Sequence, residues 1–153
     1  MDPSTYPWRA ANPHILSVEV TAAEIDDFEH VNNVVYLSWM ARSAWQHSKA
    51  LGFDFSAYRK LDCGFVVRHH ELDYLAPCFE GDTIYIGTWI TANDARLYLR
   101  RRFQMIRAET GQSVAVGLTD FVPMKLSTGK ACRMPKAFQE GYPARPDVEA
   151  LFG

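Results

Sequence analysis

The sequence predicts an α+β fold, one long central helix wrapped by a curved antiparallel sheet of five or six strands. Three observations predict it. Apolar residues recur at helical spacing over one long stretch, residues 32–51. From residue 62 onward the period switches to two, in several long runs. The breaks between the later runs, Asn93-Asp94 and Glu109-Thr110-Gly111, are too short to hold a crossover helix, so those strands must run antiparallel.

Taken in order, residues 1–13 hold three prolines and no apolar run, and read as an extended arm. His14 to Val20 sets Leu16, Val18 and Val20 against Ile15, Ser17 and Glu19, a strand with one apolar face. A helix follows from Asn32, a good N-cap, to Leu51, with Gly52 as its stop. Val34, Leu37, Ala41, Ala44, Ser48 and Leu51 form one stripe at steps of three and four. Val35, Tyr36, Trp39, Met40 and Trp45 lie off that stripe, which makes the helix apolar over most of its circumference and predicts burial all round. Asp62 to Tyr74 reads as a long or bent strand, and Ala76 to Asp82 as a turn with Pro77 and Gly81. Thr83 to Ala92, Arg96 to Arg107 and Gln112 to Met124 form a meander closed by Ser127 to Lys130. The tail, 136–153, is polar and ends in a short helix over Asp147 to Leu151. All of 1–153 reads as a single domain. One helix cannot cover both faces of such a sheet, which implies dimerisation through the sheet.

Bulk composition narrows the function classes. Apolar residues make up 48% and charged residues 22%, which excludes disorder. A formal net charge of -2 gives no electrostatic case for nucleic acid or an anionic membrane as partner. No run approaches the ~20 apolar residues of a membrane span. Three widely spaced cysteines in no CxxC arrangement argue against a disulfide framework or zinc site and for a reducing, cytoplasmic setting.

Four groups of residues carry candidate chemistry. Glu24, Asp26, Asp27 and Glu29 precede the helix, where acids complement its dipole as a solvated loop. Asp26, close to Ile25 and Phe28, heads a segment that must dive toward the helix. Unpaired N–H groups at the helix start could there polarise a carbonyl beside a carboxylate base or nucleophile. His30 is read either as a cap or packing residue or as a partner of Asp26. His69 and Glu71 share one strand face; they lack a third metal ligand and are retained as substrate contacts, with no metal expected. Arg100 and Arg102 share a second face, with Arg101, Leu99 and Phe103 opposite, and read either as a solvated strand edge or as phosphate contacts.

The run Asp26-x-x-x-His30-Val31-Asn32-Asn33-x-x-Tyr36-Leu37 resembles the D-x-x-G-H-V-N-N-x-x-Y-L signature of hotdog-fold acyl-CoA thioesterases, the 4-hydroxybenzoyl-CoA thioesterase-like superfamily. Asp73 to Pro77 followed by Gly81-Asp82 is similar to the Y-x-x-P…G-D element of that family, and the likeness covers about Val18 to Pro135. The resemblance implies a dimer or tetramer with sites between subunits and hydrolysis of a fatty or aromatic acyl-CoA without a cofactor. It implies that Asp26 acts as nucleophile or general base, that the N–H near Asn33 polarises the carbonyl, and that His30 and Tyr36 shape the site. Arg100 or Arg102 would meet the nucleotide phosphates. Glu29 departs from the signature, which has glycine there. That departure keeps a non-catalytic acyl-thioester binder as an alternative, beside a thioesterase acting on acyl carrier protein.

Overall fold

The computed structural model describes residues 2–152. Strands β1 (His14–Glu19), β2 (Cys63–Tyr74), β3 (Thr83–Asn93), β4 (Leu99–Arg107) and β5 (Ser113–Lys125) form one antiparallel sheet in the order β1-β3-β4-β5-β2. The meander β3-β4-β5 lies at its centre, with β1 and β2 as edges. The arginine-rich strand is therefore central, not an edge, because the short turns on both sides pair it twice. β2 is long and irregular as expected, its register slipping between Val67 and His69.

Helix α1 (Asn33–Ala50) crosses one face of the sheet. The Asn32 side chain caps it by accepting from the Val34 N–H at 3.1 Å, and Gly52, at φ +97°, ends it. The packed face overlaps the expected stripe without being centred on it: Leu37, Ala44, Ser48 and Leu51 pack, but the most buried residues lie beside them. Tyr36, Trp39 and Met40 are buried in one cluster with Ile84, Ile86, Phe103, Met105 and Ala115, and Ser43 is buried too, whereas Val34 is 61% exposed. The bulkiest side chains claim the core, since they remove the most apolar area from water. The helix is also covered on one side only, with Ala41, Arg42, Trp45 and Gln46 exposed. Gly117 is needed where β5 meets β2 beneath α1: a Cβ there would come within 2.7 Å of the Glu71 carbonyl oxygen on β2 and 3.3 Å of Met40 Cε on α1.

Two helices without a marked sequence signal, α2 (Phe55–Leu61) and α3 (Lys136–Gly141), close the C-terminal end of α1. Phe53, Tyr58, Phe138 and Tyr142 form a second core there. Helix α4 (Pro146–Phe152) and the N-terminal arm cover the opposite face of the sheet, where Trp89 packs with Ala10 and Val148. The chain thus covers part of that face itself, so the need for a second subunit inferred from the helix count is reduced. Among the described residues no helix is long and apolar enough to cross a membrane.

Candidate functional site

The segment before α1 is a tight hairpin. Ile25 bridges to Val31, the Asp26 N–H donates to the His30 carbonyl at 2.9 Å, and the Glu29 N–H donates to the Asp26 carbonyl at 2.9 Å. Closing this loop places Glu29 at φ +65°. The glycine of the signature therefore has a geometric reason, and glutamate adopts the same left-handed backbone at a cost of about 1 kcal/mol. Asp26 is half-buried, and its Oδ1 accepts from the Phe28 N–H at 2.9 Å. Asn32 and Val31 are tied down in turn, their N–H groups donating to the carbonyls of Glu24 and Cys78.

The Asn33 N–H, first in the helix, has no acceptor among the described residues. It opens beside a trough of about 330 Å³ lined by His30, Val31, Asn33, Tyr36 and the segment 74–77. Tyr74 donates its hydroxyl to the Asn33 carbonyl at 2.8 Å and meets Tyr36 edge-on. Burial, reinforced by Cys78, raises the Tyr36 phenol well above its usual range, so it stays protonated. His30 packs edge-on against Phe79. His30, Asn33 and Tyr36 are thus brought together, while Asp26 lies in the adjoining turn and not on the trough wall.

Arg100, Arg102, His69 and Glu71 lie on the other face of the sheet, away from this trough. Arg100 pairs with Asp120 at 2.7 Å and Glu149 at 2.8 Å, and Arg102 with Glu149 at 2.6 Å. Those partners hold the Glu149 carboxyl down at about 2, Arg102 contributing most. His69 and Glu71 are exposed on the edge strand, 3.5 Å apart. Among the described residues no three His, Cys, Asp or Glu side chains gather into a metal-holding group.

A second cavity, of about 250 Å³, lies apart from the trough. It lies on the α1 face, where small Ala41 and Ala44 leave room, between Met40, Trp45, Phe65, Phe103 and Phe121. Arg101 reaches it from β4 at 2% exposure. Its Nη1 donates to His47 Nδ1 at 2.7 Å and its Nη2 to Ser48 Oγ at 2.8 Å. An arginine can only donate, so His47 is neutral with its proton on Nε2. Burial, then the Arg101 and His14 charges, depress His47 to about 3. Burial likewise pulls Arg101 to about 10, which still leaves it cationic at neutral pH. The one available signal was Arg101 sharing a strand face with Leu99 and Phe103.

One long helix laid across a five-stranded antiparallel sheet is the hotdog fold. The model of the thioesterase-like superfamily matches residues 20–141, and the chain belongs to that family. No curated protein matches the chain. The fold is similar to that of a 1,4-dihydroxy-2-naphthoyl-CoA thioesterase from Synechocystis, at 19% identity and TM-score 0.76, over 86% of this chain and 96% of that one. It is similar to a Staphylococcus aureus protein solved in complex with CoA, at 15% identity and TM-score 0.78, over 85% and 81% of the two chains. The probable thioesterase YbaW from Escherichia coli matches at 23% identity and TM-score 0.72, over 84% and 95%.

Proposed function

We propose that the protein hydrolyses an acyl-CoA thioester to free acid and CoA at the start of α1, without cofactor or metal. The observation that carries this reading is the Asn33 N–H, without an acceptor among the described residues, at the positive end of an 18-residue helix and next to the turn that holds Asp26. As the carbonyl is attacked, charge develops on its oxygen, and a fixed helix-end N–H stabilises that charge with no reorganisation. As base, Asp26 takes a proton from water as the water oxygen forms the new C–O bond; the C–S bond breaks and that proton passes to the leaving sulfur, giving free acid and CoA thiol. As nucleophile, Asp26 forms a mixed anhydride as the C–S bond breaks; water then cleaves the anhydride, one of its protons passing to the CoA thiolate and the other to solvent, and Asp26 is restored. His30 and Tyr36 shape the trough that receives the thioester.

The working unit is a homodimer, or a tetramer built from such dimers. β2 is an edge strand, and Val67, Tyr74 and Leu75, along it and just beyond its end, are each about half exposed. Two copies paired antiparallel along β2 would set the helix start of one copy, at the Tyr74 end, beside the cavity of the other, at the Val67 end. A thioester lying across that seam would meet its polarising N–H in one copy and bury its acyl group in the next.

Thiol release is measured over a panel of short, long, aromatic and carboxylate-ended acyl-CoAs, with the same acyl groups also presented on acyl carrier protein. The reading predicts saturable release from CoA esters. Much faster release from the carrier-linked ester would make this a carrier-protein thioesterase. Tight binding of a non-hydrolysable acyl-CoA without release from any ester would make it a binding protein.

A further inference from the structure

We propose that the Arg101 cavity receives acyl chains that end in a carboxylate, and that Arg101 is the residue that selects them; the proposal rests on the thioesterase reading above. Arg101 is buried and makes no ion pair among the described residues, although its neighbours in sequence both do. Its two engaged N–H groups go to neutral partners, His47 and Ser48. The remaining three find no acceptor among the described residues, and Arg101 also lies within 6 Å of the Phe121 and Tyr142 rings. Burying a cation without a counter-charge is costly, and nothing in the packing of Leu99 and Phe103 asks for one.

The cavity supplies what is missing. Its walls, Met40, Ala44, Phe65, Phe103 and Phe121, suit methylenes or a ring, and Trp45, 44% exposed, stands at its mouth. Most other polar atoms in the lining are engaged: His70 Nδ1 and Thr119 Oγ1 are bonded to each other at 2.8 Å, the Tyr58 hydroxyl pairs with that of Tyr142, and Ser48 accepts from Arg101. The guanidinium is the one arginine or lysine side chain lining this otherwise mostly apolar cavity among the described residues, and its planar fork matches a carboxylate in two parallel hydrogen bonds. The cavity has room for about eight water volumes, which sets the occupant at a short chain or a single ring.

Adipyl-CoA and hexanoyl-CoA have the same number of acyl carbons and differ in the terminal carboxylate. Wild-type kcat/KM for adipyl-CoA is expected to exceed that for hexanoyl-CoA by at least ~10-fold, the scale of one charge-assisted contact. In Arg101→Met the ratio should fall to about one, and Arg101→Lys should keep part of it because a charge remains without the fork. Equal or faster hydrolysis of hexanoyl-CoA by the wild type overturns the proposal and leaves the thioesterase reading standing. Release from no ester in the panel sinks that reading instead, and adipate binding then decides the pocket. A saturable change in tryptophan fluorescence on adding adipate, lost in Arg101→Met, supports it, and no change in the wild type overturns it. If Arg101→Met does not fold, the wild-type ratio and the wild-type titration decide alone.

Discussion

Three arginines stand in a row on β4, and the pleat of the strand divides them into two environments. Arg100 and Arg102 point to the face covered by α4, where Asp120 and Glu149 neutralise them. Arg101 points to the α1 face, is more deeply withdrawn from water than either, and meets only an imidazole, a hydroxyl and aromatic rings. A basic cluster in a sequence is therefore not one feature. The outer pair fastens the C-terminal helix to the sheet, and a phosphate seeking Arg100 or Arg102 would have to displace Glu149. The inner arginine is the one with bonding capacity to spare, on the face that holds both the trough and the cavity.

The comparison can be broken by substitution. Glu149→Ala leaves Arg102 unpaired and Arg100 with one partner, and should lower stability by about 2 kcal/mol, allowing for the partial exposure of these groups; the urea midpoint measures it. A loss below a few tenths would mean that the outer pairs fasten nothing.

Acid separates the two faces without mutation. His47 is depressed to about 3 from an ordinary 6.5, so its neutral form contributes stability that is complete above pH 6.5 and is lost as pH falls from there toward 3. Glu149 is depressed to about 2 from 4.5, so its contribution is complete above pH 4.5 and is lost as pH falls from there toward 2. Stability followed against pH should therefore begin to decline near 6.5 and steepen near 4.5. His47→Gln should remove the first decline and Glu149→Gln the second.

Arg101→Met, by contrast with Glu149→Ala, should stay within about 1 kcal/mol of wild type or gain, because a buried unpaired cation is replaced by an apolar chain of similar length. A loss of several kcal/mol would make Arg101 a structural residue. The smallest effect is expected outside the comparison, in the hairpin. Glu29→Gly should gain about 0.5 kcal/mol, relief of left-handed strain exceeding the added chain entropy, and a thermal melt resolves it.

Local pattern made much of this legible. The Asn32 cap, the Gly52 stop and the period-two runs depend on near neighbours, and the α1 and strand boundaries fall within a few residues of where they were read. The packed face of α1 was legible only in part: Leu37, Ala44, Ser48 and Leu51 of the expected stripe pack, but two apolar stripes compete and the sheet centres on the one bearing Trp39 and Met40. Helices α2 and α3 are too short to show a period and are held by the aromatic cluster of Phe53, Tyr58, Phe138 and Tyr142. At the site, the glycine-for-Glu29 exchange pointed to the residue that turns out left-handed. The cavity could not be seen, since its walls come from α1, α2, β2, β4 and β5. Proximity across long separations was equally hidden: Cys63 and Cys132 bring their Sγ atoms to 3.5 Å.

The central claim is that a carboxylate in the turn before α1 drives thioester hydrolysis at the helix start. Asp26→Asn keeps the shape and the oxygen that accepts from Phe28 but removes the base or nucleophile. Free-thiol release from the best acyl-CoA substrate, compared between wild type and this variant at matched folded concentration, tests the claim directly. The account predicts a loss of at least ~100-fold in kcat with the melting transition intact. Undiminished release by the folded variant would contradict it.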